Sequence, residues 1–189
     1  MKLRIIRIRS GGRGKSNRII PRGGHRMELE YRFATADDIE ILMQTRLDML
    51  RVVNDLGPDY VYDDDFVRSS RDYILNGDQI SVLAVCGDKT VGCASICFIE
   101  IMPTFAHPTG KRAHLMNVYT DAAYRRQGIG FAMTNMLIEA AWNRGATEIS
   151  LDATESGRAL YIKCGFKDSD ECMVLVRNYF EEKSSVQPH

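Results

Sequence analysis

The six residues Arg125-Arg126-Gln127-Gly128-Ile129-Gly130 constrain this chain more than any other stretch, because they join an apolar, β-branched run to a long run of helical period. Residues 114–120 (HLMNVYT) have the character of a buried strand, and within residues 129–144 Ile129, Met133, Met136, Leu137 and Ala140 fall on one helical face. Strand, two-glycine turn and helix in that order bring outward-pointing amides and the positive end of a helix dipole to one place. An anion fits there, phosphate oxygens in particular. A tight connection with no ligand is the competing reading. The third glycine of a dinucleotide fingerprint would fall at Met133 and no Gly-Lys-Ser/Thr follows, so the dinucleotide and P-loop readings drop away.

What remains, Arg-x-x-Gly-x-Gly at a strand-to-helix turn, resembles the acetyl-CoA-binding signature of the GCN5-related N-acetyltransferase (GNAT) superfamily. Further on, Ala159-Leu160-Tyr161-Ile162-Lys163-Cys164-Gly165-Phe166 is similar to the second signature of that superfamily, a tyrosine on a short helix ended by Gly-Phe. The resemblance runs from Glu28 to Asn178 and leaves out the first 26 residues.

With 189 residues, 44% of them hydrophobic, the chain suffices for one domain with a real core. The expected division is a basic, disordered extension over residues 1–26, a domain over 27–178 and a frayed tail over 179–189. The net charge of zero hides an asymmetry: residues 1–26 hold nine basic and no acidic residues, leaving 16 basic against 25 acidic in the remainder, a net −9. An acidic body counts against nucleic acid as a partner and suits a cationic substrate or plain solubility. No apolar run has the length of a membrane span and no secretory signal is evident, so a cytoplasmic protein with no membrane partner is expected. Cys86, Cys93, Cys97, Cys164 and Cys172 form no C-x-x-C pair, which favours reduced core thiols over zinc.

Along the chain, residues 28–33 (ELEYRF) alternate as a half-buried strand, and Thr35-x-x-Asp38 forms a capping-box pattern before a helix reaching Asn54. A second helix is expected over residues 64–75, with Asp63-Asp64-Asp65 at its start either as a helix-dipole partner or as an acidic rim for an amine. Residues 79–86 and 90–102 read as a hairpin about Gly87-Asp88-Lys89, and 103–112 as a loop. After the central strand and long helix come a strand over 149–153, a short helix over 156–164 and a final strand over 172–176. The order β-α-α-β-β-β-α-β-α-β predicts an α/β (α+β) mixed sheet with helices on both faces.

The resemblance implies the GNAT acyl-CoA N-acyltransferase fold, with acetyl-CoA as co-substrate in a wedge between the strands that flank the long helix. It implies that the main chain of Asn117, Val118, Tyr119 and Thr120 bonds the pantetheine arm, an amide of Val118 or Thr120 polarising the thioester carbonyl. Arg125, Arg126, Gln127, Gly128, Ile129 and Gly130, with Phe131 and Ala132, would cradle the pyrophosphate. Tyr161 aligns with the tyrosine placed beside the CoA sulfur and is the expected general acid. Thr154 stands seven residues before it, where many members carry asparagine. The central strand offers no carboxylate base; water relayed by Tyr119 or Asn117, or His114 or Glu100, are the candidates. The expected activity is acetyl transfer to a primary amine of a small molecule. The alternatives are a protein or peptide amine, or a CoA-binding domain without catalysis. Homodimers are common in the superfamily.

Overall fold

The computed structural model describes residues 17–19, 27–170 and 172–175. Six strands form one sheet in chain order: β1 (Asn17–Ile19), β2 (Met27–Phe33), β3 (Gln79–Cys86), β4 (Lys89–Glu100), β5 (Lys111–Thr120) and β6 (Ile149–Leu151). All neighbours are antiparallel except β5 and β6, which are parallel because α3 (Ile129–Asn143) crosses between them. The other helices are α1 (Ile39–Val53), α2 (Asp64–Asn76) and α4 (Glu155–Lys163). The mixed sheet and the four helices agree with the order read from the sequence, except at the two ends.

Local chemistry sets most boundaries. The Thr35 amide donates to Asp38 Oδ2 at 2.8 Å and the Thr35 hydroxyl to the same oxygen at 3.2 Å, starting a short 3-10 turn that leads into α1. Asp63 Oδ1 accepts the Phe66 amide at 3.0 Å and so caps α2. Gly87 takes φ of +60° at the first of the two positions joining β3 to β4, the position that a two-residue hairpin turn keeps for glycine.

Strand alternation sorts the core onto two faces. Val82, Ala84, Ala94, Ile96, Ala113 and Leu115 face α3, where Ile129, Met133, Leu137 and Ala141 are buried against them. Leu83 and Cys93 face α1 and pack on Leu42. Each fully buried Leu or Met side chain contributes about 1.5–3 kcal/mol, so α3 is the better anchored layer. No helix among the described residues is long and apolar enough to cross a membrane.

Three expectations are corrected. Asn17–Ile19 pairs antiparallel with β2, Arg18 opposite Glu28, so this part of the extension is tied to the sheet by backbone bonds that need few apolar side chains; the rest of residues 1–26 lies outside the described residues. Lys111 and Arg112, read as loop, pair with Glu100 and Ile99 and belong to β5. Residues 172–175, read as a final strand, follow an irregular path with Met173 97% and Leu175 100% exposed. No strand among the described residues pairs with them, and an apolar run without a ladder or a covering layer there has nothing to hold it extended. Val176 and the tail over 179–189 lie outside the described residues.

Candidate active site

The last bonded pair between the parallel strands is Leu115 with Leu151. β6 ends there, whereas β5 runs on to Thr120, so the backbone of residues 116–120 has no strand on its β6 side among the described residues and a wedge opens. Within that stretch β5 bulges. Met116 pairs with Ser95 and Tyr119 with Cys93, leaving Asn117 and Val118 together opposite Ala94. Asn117 absorbs the extra residue with φ of +55°. The bulge re-aims the amides and carbonyls of the strand at the point where the wedge begins.

The turn after β5 is held from two sides. Asp121 Oδ1 accepts the Ala123 amide at 3.0 Å, and Asp121 Oδ2 receives Lys89 Nζ at 2.7 Å, which keeps the carboxyl below its ordinary range. Arg125 Nε donates to the Thr120 carbonyl at 3.0 Å. Arg126 and Gly128 both take the left-handed conformation, φ +66° and +79°. A non-glycine residue there costs about 1 kcal/mol or more, strain of the kind that gathers at binding sites. The Ala132 amide bonds the Gly128 carbonyl at 3.0 Å as the first bond of α3, leaving the amides of Ile129, Gly130 and Phe131 outside the helical ladder. A Cβ placed on Gly128 would meet nothing within 4 Å, so the turn faces open space. Gln127 is half-buried beside it.

α4 closes the wedge. A Cβ on Gly130 would come within 3.2 Å of Leu160 Cδ2, so the second glycine of the turn lets α4 sit on the first turn of α3. Lys163 Nζ lies 4.7 Å from the centre of the Phe131 ring. Tyr161 is half-buried, packs on the α3 face of the core and meets Phe166 edge-on at 6.0 Å. Burial raises its pKa above the ordinary 10.0, with Cys164 adding to the shift, so the hydroxyl keeps its proton at neutral pH. Thr154 caps α4, its Oγ1 accepting the Gly157 amide at 3.2 Å, so the hydroxyl at the asparagine position is engaged in holding the helix.

The candidate bases fare differently. Asn117 is 8% exposed, donates to Cys93 Sγ at 3.8 Å and has no partner for its buried Oδ1 among the described residues. Burial, with Asp48 and Asp121 nearby, raises the pKa of Tyr119, which keeps its hydroxyl protonated at neutral pH, so no phenolate is at hand to act as base. His114 Nδ1 lies 2.9 Å from Ser150 Oγ, and its Nε2 3.7 Å from Asp152 Oδ2. Glu100 pairs with Lys111 at the end of the ladder away from the bulge and is remote from the wedge.

Gly92 and the Lys89–Asp121 pair were not singled out from the sequence. A Cβ on Gly92 would stand 3.0 Å from the Tyr119 carbonyl and 3.1 Å from Met133 Cε, so this glycine lets α3 pack against the wedge. A glycine inside a strand run is the signal that points to such close approach. The five cysteines are free thiols, and among the described residues no group of three or more His, Cys, Asp or Glu is gathered to hold a metal.

Among solved structures the fold is similar to a predicted acetyltransferase of Clostridium acetobutylicum crystallised with acetyl-CoA, at 30% identity and a TM-score of 0.69 over 78% of this chain and 96% of that one. A GCN5-related N-acetyltransferase of Ralstonia eutropha follows at 26% and 0.64, covering 78% and 98%. In sequence the chain is 25% identical to glucosamine 6-phosphate N-acetyltransferase 1 of rice over 127 residues, 67% of this chain and 77% of that protein. It is 31% identical to glucosamine 6-phosphate N-acetyltransferase of Trypanosoma brucei over 87 residues, 46% and 57%. Across the curated relatives the matched stretch spans 43% to 79% of their length. The acetyltransferase (GNAT) family model matches residues 47–166, from the middle of α1 through the wedge to the Phe166 that packs on Tyr161. The chain belongs to the acetyltransferase (GNAT) family and is an N-acetyltransferase.

Proposed function

We propose that the protein transfers the acetyl group of acetyl-CoA to a primary amine of a small molecule by direct attack, with Tyr161 as general acid. The observation that carries this reading is the wedge itself: five residues of β5 backbone left without a strand on one side, leading to a turn whose free amides begin a helix. The residues present fit the co-substrate. The amides of Ile129, Gly130 and Phe131, with Arg125 and Arg126 beside them, suit a pyrophosphate, and the open space at Gly128 leaves room for it. The free backbone of residues 117–120 suits the amide-bearing pantetheine arm, and an amide of Val118 or Thr120 suits the thioester oxygen.

In the proposed reaction the neutral amine nitrogen forms a bond to the thioester carbon, and negative charge gathers on the oxygen held by the β5 amide. Collapse breaks the carbon–sulfur bond, and the Tyr161 hydroxyl gives its proton to the departing sulfur. The proton lost by the nitrogen passes to water, which also reprotonates Tyr161. The half-buried, protonated state of Tyr161 supports that role. The amino sugar phosphate in the names of the relatives called glucosamine 6-phosphate N-acetyltransferase is a first amine to try.

The test is a panel of primary amines incubated with acetyl-CoA, with the release of free thiol followed and the product weighed by mass spectrometry. The expected result is amine-dependent thiol release with a product gaining one acetyl group. CoA binding with no acetylation of any amine would support a binding domain instead, and acetylation of peptide amines alone would move the acceptor class to protein.

A further inference from the structure

On the face of the sheet opposite α3, Arg46 has no anion among the described residues. Arg46, half-buried on α1, donates its Nε–H to Ser70 Oγ at 3.3 Å, and its guanidinium carbon stands 5.7 Å from the centre of the Phe66 ring. Burial, the larger effect, lowers its pKa, and among the described residues no carboxylate pairs with it. Four acids of this face are engaged by other arginines: Glu40 with Arg71 at 2.6 Å, Asp48 with Arg51 at 3.2 Å, Asp65 with Arg68 at 2.9 Å, and Asp38 with Arg32 at 2.7 Å; Asp64 and Asp72 of α2 pair with no arginine among the described residues, and neither is paired with Arg46. A guanidinium taken partly out of water without a counter-charge is costly unless something else supplies one. Its terminal nitrogens make no hydrogen bond to a described residue and keep a planar fork matched to a carboxylate or phosphate.

The position of Arg46 ties this cation to the chemistry. Leu42, one turn before Arg46 on α1, packs on Cys93, and the bulge residue Asn117 donates to the same Cys93 thiol at 3.8 Å, so this part of α1 lies against the bulge. Arg46 also sits close enough to Cys97 to draw its thiol pKa down against the stronger effect of burial, and Cys97 Sγ is 3.2 Å from Met116 Sδ, on the residue before Asn117. On the acetyl-transfer reading the thioester enters the wedge from the β6 side, which leaves the face carrying Arg46, Cys97, Met116 and Tyr119 to an incoming amine.

We propose that the acceptor amine carries an anionic group, a carboxylate or a phosphate, and that Arg46 receives it, making Arg46 the specificity-determining residue on the α1 face. The inference rests on the acetyl-transfer reading above and adds the acceptor's charge to it. Arg46 touches no reacting atom; it fixes the far end of the substrate so that the nitrogen is held at the thioester.

The experiment compares matched amines that differ only in the anion: glucosamine 6-phosphate with glucosamine, phosphoethanolamine with ethanolamine, and β-alanine with ethylamine. With acetyl-CoA saturating, at least one anionic member should exceed its neutral partner in kcat/KM by about ten-fold or more. The phosphate and carboxylate pairs distinguish the two sources of charge. Arg46→Gln should reduce that preference by about ten-fold through KM for the anionic amine, with KM for acetyl-CoA unmoved, and Arg46→Lys should fall between the two. The same amines are titrated calorimetrically into the CoA complex, a readout that needs no turnover. Neutral amines reacting as well as their anionic partners in the wild-type enzyme would overturn the inference, with the acetyl-transfer reading intact. So would Arg46→Gln or Arg46→Lys, folded by thermal melt, lowering both members of a pair equally. Absence of both turnover and binding for every anionic member would overturn it as well. Binding of an anionic amine that depends on Arg46 but leads to no acetylation would overturn the acetyl-transfer reading alone.

Discussion

Arg125 donates its Nε–H to the carbonyl of Thr120 at 3.0 Å, so the arginine that opens the glycine turn also clasps the turn to the end of β5. The two places where the co-substrate is proposed to bind, strand backbone and helix N-terminus, are thereby set at a fixed distance. Arg125→Lys keeps the charge but replaces the planar fork, so one side chain can no longer hold the carbonyl and present parallel donors to a phosphate. CoA affinity is expected to fall by about ten-fold, measured by calorimetry. Undiminished affinity would show that the clasp plays no part in binding.

Gly128 has φ of +79° and open space where a side chain would project. Gly128→Ala meets no clash but strains the backbone, and stability should drop by about 1 kcal/mol. Gly128→Asp adds a negative charge where the pyrophosphate is proposed to lie and should abolish CoA binding in a protein that still melts cooperatively. Tight binding by that variant would place the phosphates elsewhere.

For Tyr161→Phe, the edge-on contact with Phe166 persists while the proton is lost. Turnover should fall by roughly 10²-fold with CoA affinity unchanged, which single-turnover rates and calorimetry would separate. Because burial raises the Tyr161 pKa above 10.0, any alkaline loss of wild-type activity from its ionisation should have its midpoint above that pH. A mutant that loses CoA binding but keeps its turnover at saturation would make Tyr161 a positioning residue.

The capping box yields a pH prediction. The Arg32 guanidinium, and less strongly the Thr35 amide, lower the Asp38 pKa from 3.8 to about 2. A depressed carboxyl pKa stabilises the fold in full above the unfolded value and loses that contribution as the pH falls through the folded one. Melting temperature should therefore be insensitive to this group at neutral pH and decline as pH drops from 3.8 to about 2. Asp38→Asn should remove about 1–2 kcal/mol at neutral pH, a figure reduced because Arg32 is 39% exposed, and should flatten that part of the decline. Parallel acid-side profiles for mutant and wild type would disprove the role.

What this sequence determined by itself is what lies within a few residues of its cause. The capping box at Thr35 and Asp38, the glycine of the Gly87-Asp88 turn, and the helical period from Ile129 to Leu137 each act through neighbours one turn or one pleat away, so residue order alone displays them. The strand, glycine turn and helix around Gly128 were legible for the same reason. Tertiary structure decided the rest. The bulge at Asn117 exists only relative to the register of β4, the wedge opens because β6 stops at Leu151 while β5 continues, and the seat of α4 depends on Leu160 meeting Gly130. Residues 172–175 have the composition of a strand but no partner strand among the described residues, whereas Asn17–Ile19 does not have it and pairs with β2. Strand pairing and the solvation of a charge such as Arg46 are settled by groups far apart in sequence, and periodicity along the chain carries no record of which distant groups will meet.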